Sequence, residues 1–139
     1  MDGDIEILDL RGRVDRALLD GFTALYNDAF RDPTEREDPG QWAERLSSEL
    51  DPPQPRTHLL VAFRQRPGGD REVLGGQLFE YYRTSRCGLL TYVVVAPAAR
   101  RRGLGRELLA RAIAGLQEDA KSAGQPLLAV FAETEDSMD

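Results

Sequence analysis

Arg100, Arg101, Arg102, Arg106 and Arg111 crowd one short stretch of a chain whose formal net charge is −6. Gly103 and Gly105 stand among them. Guanidinium groups beside backbone without Cβ atoms suit an anion such as a diphosphate, which can approach the amides and accept bidentate bonds. The stretch reads VVVAPAARRRGLGRELL. A buried strand ends at Val95, and Pro97 stops its ladder and keeps Ala96 extended. The chain turns through Ala98 and Ala99 into a helix beginning near Arg101. The first amides of such a helix lack intrahelical acceptors, and the macrodipole adds partial positive charge there. Glycine inside a helix costs about 1 kcal/mol relative to alanine, so two in one turn ask for a reason. The competing reading is a glycine-bearing helix start with a solvated arginine face. The triphosphate-loop pattern needs Gly-Lys-Ser/Thr, which is absent, and G-x-G-x-x-G fails at Leu108.

Other chemistry has few candidates. His58 is the only histidine and Cys87 the only cysteine. A Ser-His-Asp triad or a zinc site would have to be built on His58, and no metal is expected. His58 opens the run HLLVAF and reads as a packed or solvent-exposed strand histidine.

Arg100-Arg101-Arg102-Gly103-Leu104-Gly105 follows Val95-Ala96-Pro97 and opens a helix with Leu108 and Leu109. In that context it resembles the Q/R-x-x-G-x-G/A signature of the GNAT superfamily of acetyl-CoA-dependent N-acetyltransferases. The resemblance implies that amides from Arg101 to Arg106, with Arg100, Arg102, Gly103, Leu104 and Gly105, hold the coenzyme A diphosphate. It implies that the backbone of Val93, Val94 and Val95 pairs with the pantetheine arm. An N–H near Val94 or Val95 would polarise the thioester carbonyl. The implied reaction is direct attack of a neutral amine on acetyl-CoA, with a base to strip the ammonium proton and an acid for the thiolate. Glu133, at the end of the last strand, is the first candidate base, and Glu80 the second. Tyr92 reads as core or lining, and Cys87 as an acyl carrier is disfavoured. A non-catalytic domain that binds or senses coenzyme A is the alternative.

The elements that must position these residues are legible from periodicity. Ile5 to Leu10 reads as a strand and Asp15 to Phe30 as an amphipathic helix, with Leu18, Phe22, Leu25 and Ala29 at helical spacing. Asp38-Pro39 opens a short helix carrying Trp42 and Leu46. Strands are predicted over His58–Phe63, Glu72–Tyr82 and Leu89–Val95, with turns at Pro67–Asp70 and Arg83–Gly88. Gly103 to Ala123 is the strongest helix, with the stripe Leu104, Leu108, Ala112 and Leu116, and Leu127 to Glu133 is a final strand. The expectation is one α/β domain over residues 1–139, β-α-α-β-β-β-α-β, with helices flanking a mixed sheet. The resemblance further implies a last helix and two strands after the fifth strand. The chain carries none, so the domain reads as C-terminally incomplete, with a second copy, as in a homodimer, one source of the strands.

Composition bounds the partners. An apolar fraction of 41% and a charged fraction of 30% are those of a globular domain. Acidic excess argues against non-specific nucleic-acid binding. Neither a membrane span nor a signal segment is expected, which makes a cytoplasmic location the default. Asp28, Asp32, Glu35, Glu37 and Asp38 lie between the first two helices, where the resemblance puts the acceptor. They suggest a cationic amine, against the plainer reading of a solvated acidic loop.

Overall fold

The run HLLVAF has no polar face, so it must be covered on both sides, and that requirement organises the molecule. The computed structural model describes residues 4–32, 34, 38–48 and 55–132. Its strands are β1 (Ile5–Asp9), β2 (Arg56–Gln65), β3 (Arg71–Tyr82), β4 (Cys87–Val95) and β5 (Ala129–Ala132). Its helices are α1 (Arg16–Ala29), α2 (Trp42–Ser47) and α3 (Leu104–Ser122). The sheet order is β1-β2-β3-β4-β5, antiparallel throughout except for the parallel β4–β5 pair. The element order is the one expected.

One face of the sheet carries α1 and α2. Leu18, Phe22 and Tyr26 pack with Trp42 and Leu46 against Leu59, Val61, Leu78 and Val94. The other face carries α3, whose stripe Leu104, Leu108, Ala112 and Leu116 is buried against Leu60, Ala62, Phe79 and Leu90. Burial of one such leucine contributes about 2 kcal/mol. Asp15 caps α1 at the Leu18 amide (3.2 Å) and accepts both Arg71 nitrogens (2.7 and 2.9 Å), which ties the start of the helix to β3.

Several boundaries differ from the expectation, with β2, β3 and β4 starting one or two residues earlier, at Arg56, Arg71 and Cys87. β2 runs on to Gln65, because the hairpin with β3 keeps pairing past Phe63. α3 begins at Leu104 rather than near Arg101, because Arg101 (φ 67°) and Gly103 (φ 78°) have left-handed backbone that no helix accepts. β5 starts at Ala129 because the Leu128 amide donates instead to the Arg86 carbonyl (2.8 Å). Glu133 lies outside the described residues.

His58 proves to be a structural group. Its ring is buried, stacked on Phe79 at 4.6 Å, and both nitrogens meet carboxylates: Nδ1 at Asp9 (2.7 Å) and Nε2 at Asp119 (2.6 Å). Only the imidazolium can donate to both. Burial, the largest single influence, pulls its pKa down, but the bonds to Asp119 and Asp9 outweigh it and hold the pKa above its ordinary value. With Arg56 3.5 Å from Asp119, the cluster joins β1, β2 and α3. Because the folded pKa is raised, the stabilisation is complete below the unfolded value near 6.5 and is lost as pH rises through the folded one. His58→Gln should therefore cost about 3 kcal/mol at pH 6. The gap between the two proteins in urea unfolding should narrow steadily toward alkaline pH. A gap that stays flat from pH 6 to pH 10 would remove the imidazolium.

Candidate functional site

Strand β4 has partners on both edges for only part of its length. β5 pairs with Cys87 to Leu90, and its last described residue, Ala132, lies opposite Leu90. On the other edge the β3 register steps from Leu78↔Tyr92 to Phe79↔Leu90, so Thr91 is an extra residue in β4, a β-bulge. The Gln77 side-chain amide donates to the carbonyls of Leu78 and Tyr92, both at 3.1 Å, and so supplies bonds that the ladder lacks there. Beyond the bulge no described residue pairs with the outer edge of β4. The Ala96 amide donates to the Leu74 carbonyl (2.7 Å) on the β3 side. By the two-residue alternation of a strand, the amides of Val93 and Val95 face the open side and that of Val94 faces β3. The Val94 side chain is in the core, whereas Val93 is half exposed.

The open edge leads to a cradle. After Val95 the chain makes a 3-10 turn over Pro97–Ala99, and Arg100 Nε donates to the Val95 carbonyl (3.2 Å). Left-handed backbone at Arg101 and Gly103 then delivers the chain into α3, whose start no side chain caps. The first helical amide with an acceptor is that of Glu107, on the Gly103 carbonyl (3.0 Å). The amides of Leu104, Gly105 and Arg106 precede it and have no intrahelical acceptor. A Cβ at Gly105 would meet only Val95 Cγ2, at 3.9 Å, and one at Gly103 would meet nothing. A cavity of about 650 Å³ fills this corner, lined by Val95, Arg100, Arg101, Gly103 to Arg106 and Ala99. A second, mostly apolar cavity of about 400 Å³ occupies the gap between β4 and β5, with Thr91 and Leu90 at one end and Val95 and Gly105 at the other. Sharing Val95 and Gly105, the two form one path from the helix start to the bulge.

Most residues singled out for cofactor binding therefore meet along this path. Arg102 is exposed beside it, and Val94 turns away. The candidate base Glu80 is elsewhere, buried on the α2 face of the sheet. Its Oε2 accepts from Arg45 and from Thr57 Oγ1 (3.1 Å), and its Oε1 from the Tyr82 hydroxyl (3.2 Å). Tyr92 packs edge-on against Tyr26 (5.0 Å) and Phe30 (5.4 Å), a wall of the α1 face. Cys87 Sγ reaches only the Ser85 carbonyl. Of the acidic segment, Asp28 pairs with Arg31, Asp32 accepts from Thr34 and Asp38 caps Gly40, while Glu35 and Glu37 lie outside the described residues. Gln77, Leu90, Thr91, Leu109 and Ala132 line the slot without having been singled out as site residues from the sequence. The signal for Thr91 was available, since it carries the one aliphatic hydroxyl in LLTYVVV.

Comparisons with known proteins fit this geometry. A model of the acetyltransferase (GNAT) family matches residues 19–137. No curated protein sequence matches the chain. Among solved structures, the chain is similar to an acetyltransferase of the GNAT family from Staphylococcus aureus Mu50 (TM-score 0.68, 13% identity, 96% of this chain and 74% of that one). It is similar to an aminoglycoside acetyltransferase from an uncultured soil metagenomic sample, solved with sisomicin (TM-score 0.67, 14% identity, 94% and 78%). It is also similar to the aminoglycoside N-acetyltransferase AAC(6')-Iy in complex with CoA (TM-score 0.62, 16% identity, 96% and 78%).

The two glycines should respond oppositely to alanine. Gly105→Ala has room and should raise stability by about 0.5 kcal/mol, since alanine is the better helix former. Gly103→Ala meets left-handed backbone and should lower it by about 1 kcal/mol. Thermal unfolding of both variants checks the pair.

Proposed function

Because the chain belongs to the GNAT acetyltransferase family, we propose that it transfers the acetyl group of acetyl-CoA to a primary amine by direct attack, with no acyl-enzyme. The observation that carries this reading is the pair of adjoining cavities that run from uncapped helical amides to the edge of β4 that no described residue pairs. The cradle suits a diphosphate: its amides lack acceptors, its two glycines offer no Cβ, and arginines rim it. The slot suits a pantetheine arm, apolar with strand-like amides that can bond to the outward amides of Val93 and Val95. A nucleoside diphosphate alone would leave the slot empty.

In the proposed step the neutral amine attacks the thioester carbonyl carbon. The new C–N bond forms as negative charge gathers on the carbonyl oxygen, and an outward β4 amide, nearest at Val93, stabilises it. Collapse breaks the C–S bond, and the thiolate leaves and takes up a proton. The amine loses one proton to become nucleophilic and a second on forming the amide. Glu80 can serve as that base only by giving up its bond to Arg45. This engagement favours a second reading, a domain that binds coenzyme A without catalysing transfer. For the acceptor we propose a cationic amine of the aminoglycoside kind. Two of the similar structures named above are aminoglycoside acetyltransferases, and Asp28, in the last turn of α1, presents an exposed carboxylate that is shared with Arg31.

Acetyl-CoA at a hundredfold its Kd should stabilise the chain by about 2.7 kcal/mol in thermal unfolding. Gly105→Glu, which points a carboxylate into the cradle, should weaken that binding more than about a hundredfold, a loss of about 2.7 kcal/mol. If wild type gains nothing from acetyl-CoA, the cradle holds something else. Thiol release across an amine panel then separates the two readings: stabilisation with no release from any amine leaves the binding domain.

A further inference from the structure

Thr91 occupies the vertex just past the last described β4–β5 pair, where the β3 register also steps. It is nine-tenths buried, and its hydroxyl has no hydrogen-bond partner among the described residues. Buried polar atoms are nearly always satisfied, so an orphan asks for an explanation. Valine has the same branched shape, suits a strand equally well and would leave nothing unsatisfied. The nearest side-chain amide cannot serve, because Gln77 is committed to two carbonyls at the bulge. Leu90, Val93, Leu109 and Ala132 make the rest of the slot apolar. A polar group arriving at the vertex therefore meets one uncommitted side-chain donor.

The group that arrives there is set by distance along the strand. The cradle fixes the diphosphate beside Val95, and four residues of strand, roughly 13 Å, separate Val95 from Thr91. An extended pantetheine arm laid along that edge brings its sulfur end to the bulge. We propose that the Thr91 hydroxyl is a second donor to the thioester carbonyl, acting beside the outward β4 amide. The proposal rests on the acetyl-CoA reading above and adds to it a named side chain. With two donors the carbonyl is held in one orientation, its face open to the α1 side where Tyr92 stands, and the charge gathered during attack is shared between them.

The test uses Thr91→Val, which removes the hydroxyl and keeps the shape, and Thr91→Ser, which keeps the hydroxyl. Three quantities are read on each: the thioester carbonyl stretch of bound acetyl-CoA without amine, the Kd of acetyl-CoA against that of CoA, and kcat. For Thr91→Val the stretch should move toward its value in free acetyl-CoA, and any preference for acetyl-CoA over CoA should shrink. Its kcat should fall about tenfold or more, while the unliganded protein melts no lower than wild type. Thr91→Ser should recover the stretch and most of kcat. A Thr91→Val protein with wild-type stretch and kcat overturns the proposal. So does one that loses CoA and acetyl-CoA equally, since the hydroxyl then serves the arm or the packing. Absence of acetyl-CoA binding to wild type is a different failure, that of the underlying reading, and is seen before any variant is made.

Discussion

A strand inside a sheet normally spends its amides on both neighbours, and this molecule turns on β4 failing to do so. One additional residue at Thr91 shifts the ladder on the β3 side, and the last described pairing with β5 lies at the same level on the other. Without that parting, the amides of Val93 and Val95 would be consumed by a fifth strand and no slot would exist. The bulge is not left unsupported. The Gln77 amide bridges the carbonyls on either side of it, so the irregularity is held by a bonded side chain rather than by slack.

The second requirement is that α3 hold still relative to that gap. Its N-terminus forms the cradle, and its apolar stripe is buried along its length on the sheet. Near its other end Asp119 shares the buried imidazolium of His58 with Asp9, linking the helix to β1 and β2. A buried charge cluster of this kind contributes uncertainly to net stability, since desolvation offsets much of the attraction. It does fix register, because the ring accepts no other arrangement of its two partners. The ion pair of Glu80 with Arg45 does the same for α2 against β3. His58, read from the sequence as a packed or exposed strand residue, and Glu80, read as a second candidate base, both hold elements in place.

How much of this was legible in the sequence follows from the range of each interaction. The stripe Leu104, Leu108, Ala112 and Leu116 repeats at the helical period, and all four are buried as that period requires. The strand-turn-helix around Arg100 to Gly105 is a local pattern, so its place could be read directly. Its one error, a helix begun three residues early, arose because Arg101 does not advertise a left-handed backbone as glycine does. The bulge was not legible: threonine is an ordinary strand residue, and register depends on the partner strand. The fate of His58 and Glu80 was hidden for the same reason. Asp9 and Asp119 lie 49 and 61 residues from His58, and Arg45 lies 35 from Glu80.

An unpaired stretch in the middle of a sheet is adhesive, since another chain's strand can add to it as readily as a ligand can. The arginines at its mouth bear on that hazard. Arg100, Arg101 and Arg106 line the entrance, and Arg102 stands exposed beside it. Two molecules attempting to join edge to edge at this gap would press like charges together, whereas an anion entering alone is drawn in. By charge alone, the same side chains favour entry of a small anion over close approach of a second copy.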